Sequence, residues 1–210
     1  MNILILGANG QIAQHAIQLY LNDTDAHLTL YLRNAGRLAH LASNRVDVIE
    51  GNVLDTAALT EVVKGKDIVY ANLAGDMEGQ AKSIIEAMDT NGVQRLIFVT
   101  TLGIFDEVPG EFGKWNNATI GEYFPPYRKA SDLIEASDLD YTVLRPAWLT
   151  DEDEIDYETT TREEPFKGTI ISRKSVAALV VAISKNPRLH SKGNIGVNKP
   201  NTDGAKPAFM

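Results

Sequence analysis

The sequence of 210 residues contains no cysteine. Disulfide bonds, thiolate nucleophiles and cysteine-ligated metal centres are therefore excluded. The four histidines, His15, His27, His40 and His190, are scattered along the chain and match no spacing typical of metal ligands. We therefore expect neither a metal site nor thiol chemistry.

An excess of basic charge and long apolar runs are also lacking. The chain has 20 Lys and Arg against 28 Asp and Glu, a formal net charge of −8. Because nucleic acids and anionic membranes bind basic surfaces, we expect neither as a partner. No stretch reaches the roughly 20 apolar residues that span a membrane, and the apolar run near the start is too short for a signal peptide. These features favour a cytoplasmic location.

The length and the hydrophobic fraction of 44% are typical of one α/β domain with a sizeable core. We expect a single domain over residues 1–210. The Pro- and Gly-containing tail after about residue 200 is expected to be loosely ordered.

The most informative stretch is at the N-terminus. The apolar run Asn2–Leu6 predicts a buried parallel strand, Gly7–Ala13 follows directly, and helical spacing begins at Ile12. A strand, a glycine turn and a helix in this order are typical of a dinucleotide site. Gly7 would allow the tight turn, and Gly10 would let the backbone approach a diphosphate at the helix N-terminus. The alternative is an ordinary turn that needs glycine only for its geometry.

The second predicted strand, His27–Leu32, is followed by Arg33 and Arg37. An acidic residue at this position favours the free 2′-hydroxyl of NAD, whereas arginine accommodates the 2′-phosphate of NADP. No Asp or Glu occurs between residues 28 and 46. The sequence therefore favours NADP, with NAD as the second choice. The alternative is that both arginines lie on the solvated start of a helix.

Further strands are predicted at 46–50, 67–72, 95–99, 140–146 and 194–197, with helices between successive strands. This alternation predicts a doubly wound parallel sheet. Residues 104–126 show no sustained periodicity and are rich in aromatics, which indicates a loop that forms a lid, a substrate wall or an oligomer contact. The acidic stretch 150–167 is interpreted as a solvated, mobile loop rather than a metal site.

Several of these landmarks coincide with those of a known family. The glycine turn opens the chain, Val99-Thr100-Thr101 ends strand five, Lys129 lies on the next helix, and Leu139–Pro146 closes strand six. Together they resemble the atypical short-chain dehydrogenase/reductases of the NmrA-like, NAD(P)H-binding group, which includes flavin and biliverdin-IXβ reductases. The resemblance extends to about Pro200.

The resemblance implies a cofactor that lies across the carboxyl ends of the strands, and it assigns roles to individual residues. Arg33 would contact the 2′-phosphate. Thr101 falls where the wider superfamily keeps a catalytic serine, and Lys129 where it keeps the lysine that binds the nicotinamide ribose. The implied cofactor contacts, from the diphosphate loop through the adenine side to the nicotinamide carboxamide, are Gly7, Asn9, Gly10, Gln11, Ile12, Asn52, Val53, Leu73, Ala74, Gly75, Thr100, Pro146 and Ala147. Asn52 departs from the family, which frequently has aspartate there.

A second departure concerns the proton donor. The superfamily's catalytic tyrosine lies four residues before the lysine, where this chain has Pro125. Proline has no ionisable group, so the usual Tyr–Lys acid catalysis is excluded. Tyr123 and Tyr127 lie nearby in sequence, but each residue turns a helix by about 100°, so neither is expected to substitute.

From these observations we expect an NADP(H)-dependent oxidoreductase that passes hydride to a small conjugated acceptor such as a flavin or a quinone, with a proton from solvent. The alternative is a non-catalytic NADP-binding sensor that regulates a protein partner. A sugar-nucleotide enzyme is a third reading.

Overall fold

The computed structural model describes all residues, 1–210. In chain order the elements are β1 (Asn2–Leu6), α1 (Gln11–Asp23), β2 (His27–Leu32), β3 (Val46–Glu50), α2 (Thr56–Val63), β4 (Ile68–Ala71), α3 (Met77–Asn91), β5 (Arg95–Val99), α4 (Gly110–Ile120), α5 (Phe124–Glu135), β6 (Asp140–Pro146), β7 (Trp148–Thr150), β8 (Glu158–Thr160), β9 (Ile170–Ser172), α6 (Arg173–Lys185) and β10 (Gly193–Asn198).

Eight strands form the main sheet in the order β3-β2-β1-β4-β5-β6-β10-β8. All neighbours are parallel except β8, which runs antiparallel to β10. The strand order reverses between β1 and β4, and such a switch point leaves a crevice at the carboxyl ends of the strands. The predicted doubly wound sheet is confirmed.

The sheet is buried on both faces, which explains its continuous apolar runs. Ile3 to Leu6 of β1 have no exposed surface, and alternate residues enter opposite cores. One core packs α1 and α6 against the sheet, and the other packs α2, α3 and α5. Helix starts are fixed by side-chain caps: Asp55, Asp76 and Ser172 accept N–H bonds from the first turns of α2, α3 and α6.

The prediction of a helix between β2 and β3 is wrong. This connection contains only two short 3-10 turns, Ala35–Arg37 and Ala39–Leu41. Within residues 35–41, which comprise the two turns and the residue that joins them, Leu38 is the only buried residue. A connection with so few apolar residues has no stripe with which to hold an α-helix against the sheet.

The prediction of an irregular loop over 104–126 is also wrong. Residues 110–120 form α4, a 3-10 turn follows, and α5 begins at Phe124. Trp115 of α4 packs on Trp148 of β7 with ring centroids 4.9 Å apart, and Trp148 Nε1 donates to Asn116 Oδ1 at 2.9 Å. Tertiary packing therefore stabilises a helix that local propensity disfavours. Pro125 is accommodated because it lies in the first turn of α5, where no backbone N–H is required.

The acidic stretch 150–167 is more ordered than predicted. It contains β8, and its carboxylates pair with cations at the start of α6: Asp151 lies 2.7 Å from Arg173, and Asp153 lies 2.6 Å from Lys174. No group of three or more acidic or histidine side chains is placed to hold a metal ion.

The C-terminal tail is bonded to the loop before β9. In the tail, the Thr202 carbonyl accepts bonds from the Thr169 N–H at 3.1 Å and from its hydroxyl at 2.6 Å. None of the helices combines the length with the apolar character that crossing a membrane requires.

Candidate functional site

A cleft of about 610 Å³ opens at the carboxyl edge of the sheet, where the strand order reverses. It is lined by the segments that follow β1, β2, β3 and β4. The predicted cofactor residues that line it are Gly7, Asn9, Gly10, Arg33, Asn52, Val53, Leu73, Ala74 and Gly75. The structure therefore brings together the predicted contacts of the diphosphate and adenosine parts of a dinucleotide.

The glycine turn leaves a defined set of backbone donors without a partner. Gly7 and Ala8 donate to the Tyr31 carbonyl at 3.0 and 3.4 Å, and Gly10 donates to the Gly7 carbonyl at 2.9 Å. The N–H groups of Asn9, Gln11 and Ile12 make no hydrogen bond within the chain. Since they lie at the positive end of α1, they can bind an anion.

Asn72, directly after β4, lies against the same turn and was missed by sequence reasoning. A Cβ on Gly7 would overlap the Asn72 carbonyl oxygen, and a Cβ on Gly10 would overlap its side-chain amide nitrogen. Gly7 also has φ of +74°, which favours glycine. Packing against the backbone that follows β4 thus requires glycine at position 7, whereas a side chain at position 10 would displace the Asn72 side-chain amide. The signal for Asn72 was its place at the end of a strand that neighbours β1.

The predicted 2′-phosphate side carries positive charge without a neutralising partner. Arg33 and Arg37 are exposed, both line the cleft, and neither forms an ion pair. The turn that bears them is fastened to β3, because the Glu50 carboxylate accepts the Ala35 N–H at 3.0 Å. The two unpaired guanidinium groups give this edge a local positive charge in a chain with net charge −8, so it can bind an anion.

The predicted adenine side is formed by the turn after β3. The Asn52 side-chain oxygen accepts the Leu54 N–H at 3.1 Å, and the Tyr31 hydroxyl donates to the Asn52 carbonyl at 3.4 Å. Leu54 is exposed and lines the cleft, as does Gln80, whose amide donates to the Ala74 carbonyl at 3.1 Å. Leu54 and Gln80 were missed, since neither stands in a recognisable motif.

The remaining predicted residues do not line this cleft. Gln11 lines a neighbouring cavity of about 480 Å³ beside α1, and Ile12 is buried in the core. The Thr100 hydroxyl is already engaged, since it donates to the Leu144 carbonyl at 3.0 Å. Pro146 and Ala147 are buried at the end of β6.

The two predicted catalytic residues lie on different elements. Thr101 is half-buried after β5, and its hydroxyl makes no hydrogen bond within the chain. Lys129 on α5 is 65% exposed, and its Nζ lies 3.2 Å from the Glu78 carboxylate of α3. That carboxylate also binds Lys82 at 2.7 Å, and bonds to Lys82 and Lys129 hold the pKa of Glu78 below its ordinary value.

No tyrosine occupies the usual proton-donor position. Pro125 lies in the first turn of α5, and Tyr123 is exposed to solvent. Tyr127 packs against the core that contains α3, and burial raises the pKa of its hydroxyl. Neither tyrosine lines the cleft.

An aromatic wall stands beyond the end of β6. Phe112 stacks on Trp115 with centroids 6.1 Å apart, and Trp115 contacts Trp148, the residue after Ala147. Gly103 fits closely against the start of α5 and against α4, because a Cβ there would lie 2.7 Å from the Phe124 ring and 2.8 Å from the Asn116 side chain of α4. Phe112 belongs to the core that contains α1 and α6, and Trp115 and Trp148 pack against it.

Comparisons with known proteins give consistent matches over nearly the whole chain. A model of a family described as NAD(P)H-binding matches residues 7–187. A Rossmann-fold NAD(P)-binding family protein from Shigella flexneri, of solved structure, is 50% identical with a TM-score of 0.85, over 100% of this chain and 98% of that one. A short-chain dehydrogenase/reductase from Veillonella parvula, solved in complex with NADP, is 31% identical with a TM-score of 0.93, over 99% of both chains.

A curated relative from Bacillus subtilis, named as an uncharacterised sugar epimerase, is 28% identical over 205 residues, which is 87% of each chain. The matched region of the family model includes every segment that lines the cleft.

Proposed function

The chain belongs to the NAD(P)H-binding family of atypical short-chain dehydrogenase/reductases, and we propose that it transfers hydride from NADPH to a small conjugated acceptor. Family membership confirms the resemblance identified in the sequence and the class of cofactor. The preference for NADPH, the acceptor and the role of each residue are proposals.

The observation that carries the proposal is the combination of bare backbone donors in the glycine turn and at the start of α1 with unpaired arginines at the adjoining cleft. The N–H groups of Asn9, Gln11 and Ile12 match a diphosphate, and Arg33 with Arg37 matches a 2′-phosphate. The solved Veillonella parvula relative holds NADP, which supports the same choice here.

We assign the nicotinamide end to the segments after β5 and β6. Thr101 would donate its hydroxyl to the acceptor or to the carboxamide, and the Pro146–Ala147 backbone would lie along the carboxamide. Lys129 would leave Glu78 to bind the ribose hydroxyls. NADPH, when bound, supplies the hydride, and the protein contributes mainly binding and orientation.

Pro125 decides which acceptors suit the site. Reduction of an isolated carbonyl needs an acid at the developing alkoxide, and the position four residues before Lys129, where the wider superfamily has its tyrosine, is Pro125. A conjugated acceptor spreads the incoming electron pair over its ring system, so water can supply the proton. Each turnover then consumes one NADPH, one acceptor and one proton, and gives NADP⁺ and the reduced acceptor.

Two other functions compete with this proposal. The relative named as a sugar epimerase suggests sugar chemistry, but oxidation of an alcohol meets the same lack of a tyrosine. A non-catalytic NADP sensor with a protein partner is favoured by Pro125 itself, since a sensor needs no proton donor.

The test is NADPH oxidation, followed at its absorbance band, with a panel of flavins, quinones, conjugated carbonyls and simple aldehydes. We expect turnover with conjugated acceptors and none with aldehydes, and Arg33→Ala should reduce the rate at subsaturating NADPH. Tight NADPH binding without turnover on any acceptor would favour the sensor instead.

A further inference from the structure

A network of buried polar side chains lies at the carboxyl ends of β5 and β6, outside the cleft. The Arg145 guanidinium has no exposed surface and forms an ion pair with Glu107, whose side chain is 3% exposed. Arg145 Nε donates to Asn194 Oδ1 at 2.8 Å, and Asn194 Nδ2 donates to the Ser131 hydroxyl at 2.9 Å. We call Glu107, Arg145, Asn194 and Ser131 the buried polar network.

Glu107 shapes the turn that follows β5. Its two carboxylate oxygens accept the N–H groups of Gly103 and Phe105, each at 3.0 Å. Gly103 has φ of +89°, so the backbone folds around the carboxylate in a conformation that favours glycine. The turn is therefore held from inside by a charged group that Arg145 neutralises.

The network joins the three segments to which the nicotinamide end is assigned. Glu107 fixes the turn just after Thr101, and Arg145 directly precedes Pro146. Ser131 lies two residues after Lys129 on α5. Other bonds join these segments in pairs: the Leu102 N–H donates to the Pro146 carbonyl at 3.3 Å, and Arg128 Nη1 of α5 donates to the Ile104 carbonyl at 3.2 Å. The buried polar network adds side-chain bonds that link the turn, β6 and α5 in the interior.

We propose that Glu107 and Arg145 are positioning residues that hold Thr101, Lys129 and Pro146 in one arrangement for the nicotinamide and the acceptor. This inference rests on the proposed function. A buried ion pair adds little net stability, because both charges lose water, but its directed bonds fix geometry. The Thr101 side chain makes no bond within the chain, while the N–H groups on either side of it, of Thr100 and Leu102, donate to β6 carbonyls. The turn that Glu107 holds begins directly after them at Gly103, and it adds a second constraint on the direction of the Thr101 side chain.

A second buried arginine provides a matched control. Arg95, on β5, lies at the opposite, amino edge of the same strands, where it donates to the Asp140 carbonyl at 2.9 Å and to the Thr142 hydroxyl at 2.7 Å. Its loss should destabilise the fold without disturbing the carboxyl edge.

The experiment compares Glu107→Gln with Arg95→Gln in the full chain. The dissociation constants for NADPH and for adenosine 2′,5′-bisphosphate, which lacks the nicotinamide half, are measured with the melting temperature. We expect Glu107→Gln to weaken NADPH by about tenfold relative to the bisphosphate, because misplaced contacts to the nicotinamide half no longer contribute to its affinity. Arg95→Gln should lower the melting temperature and leave that ratio unchanged.

Equal weakening of both ligands, or a lower melting temperature with an unchanged ratio, would overturn the inference. If Glu107→Gln does not fold, Ser131→Ala removes the bonds of the Ser131 hydroxyl with Asn194 and Glu135 but leaves the Glu107–Arg145 ion pair intact. It should move the ratio in the same direction by a smaller factor, and no movement would also overturn the inference. Absence of turnover in the wild type would refute the proposed reaction alone, since the ratio of dissociation constants does not depend on turnover.

Discussion

Replacing Arg33 with alanine should separate the two nicotinamide cofactors. Arg33 is exposed at the edge of the cleft and has no carboxylate partner, so its removal leaves no unpaired acid behind. A hydrogen bond to a charged group contributes about 1.5–3 kcal/mol. Because solvent screens this one, we expect about 1–2 kcal/mol, or roughly a 5–30-fold weaker NADPH. NADH, which lacks the 2′-phosphate, should be nearly unaffected.

Titration calorimetry with both cofactors measures the difference directly. Arg188→Ala is the matched control, since Arg188 is exposed in the turn between α6 and β10, away from the cleft. Raising the salt from about 0.05 M to about 0.5 M should also reduce the preference of the wild type for NADPH, because salt screens exposed charges. Equal losses of NADPH and NADH in Arg33→Ala would remove this residue from the 2′-phosphate site.

Three further predictions concern the turn, the stability and the missing acid. Gly10→Val should abolish binding of NADPH and NADH alike in calorimetry, because the added side chain would overlap Asn72 and fill the approach to the turn. The protein should still fold, because Gly10 has an ordinary φ of −64°. Retained affinity would refute the diphosphate assignment. Burial, and to a smaller extent the charge of Arg95, lowers the pKa of His190 in the folded protein. The unfolded chain therefore binds a proton at this histidine more readily, so the free energy of unfolding should fall as the pH drops below about 6.5. His190→Asn suits the φ of +53° and should show a smaller fall in melting temperature between neutral and acidic pH; an identical fall would show that another group is responsible. Tyr127→Phe should change the hydride-transfer rate by less than about threefold, whereas loss of a true acid costs about a hundredfold or more, and a drop of that size would make Tyr127 the proton donor.

Much of the fold was predictable because its signals are local. The continuous apolar run of β1 reflects burial on both faces, and the glycine turn follows it directly. The caps Asp55, Asp76 and Ser172 act within three residues of their own positions, so each could be identified from the sequence.

The parts that were missed depend on contacts between distant residues. Helix α4 forms because Trp115 packs on Trp148, 33 positions later, and no periodicity within 104–126 reveals that contact. The Arg145–Glu107 ion pair spans 38 residues, so a motif that ends in Arg-Pro does not disclose its partner. Asn72 likewise reaches the glycine turn only because β4 pairs with β1, and the sequence does not show that pairing.

The most direct measurement is a crystal structure of the protein grown with NADP⁺. We expect diphosphate oxygens at about 3 Å from the N–H groups of Asn9, Gln11 and Ile12, with the 2′-phosphate on Arg33. A dinucleotide bound elsewhere, or a diphosphate held in this cleft without those backbone donors, would contradict the proposal.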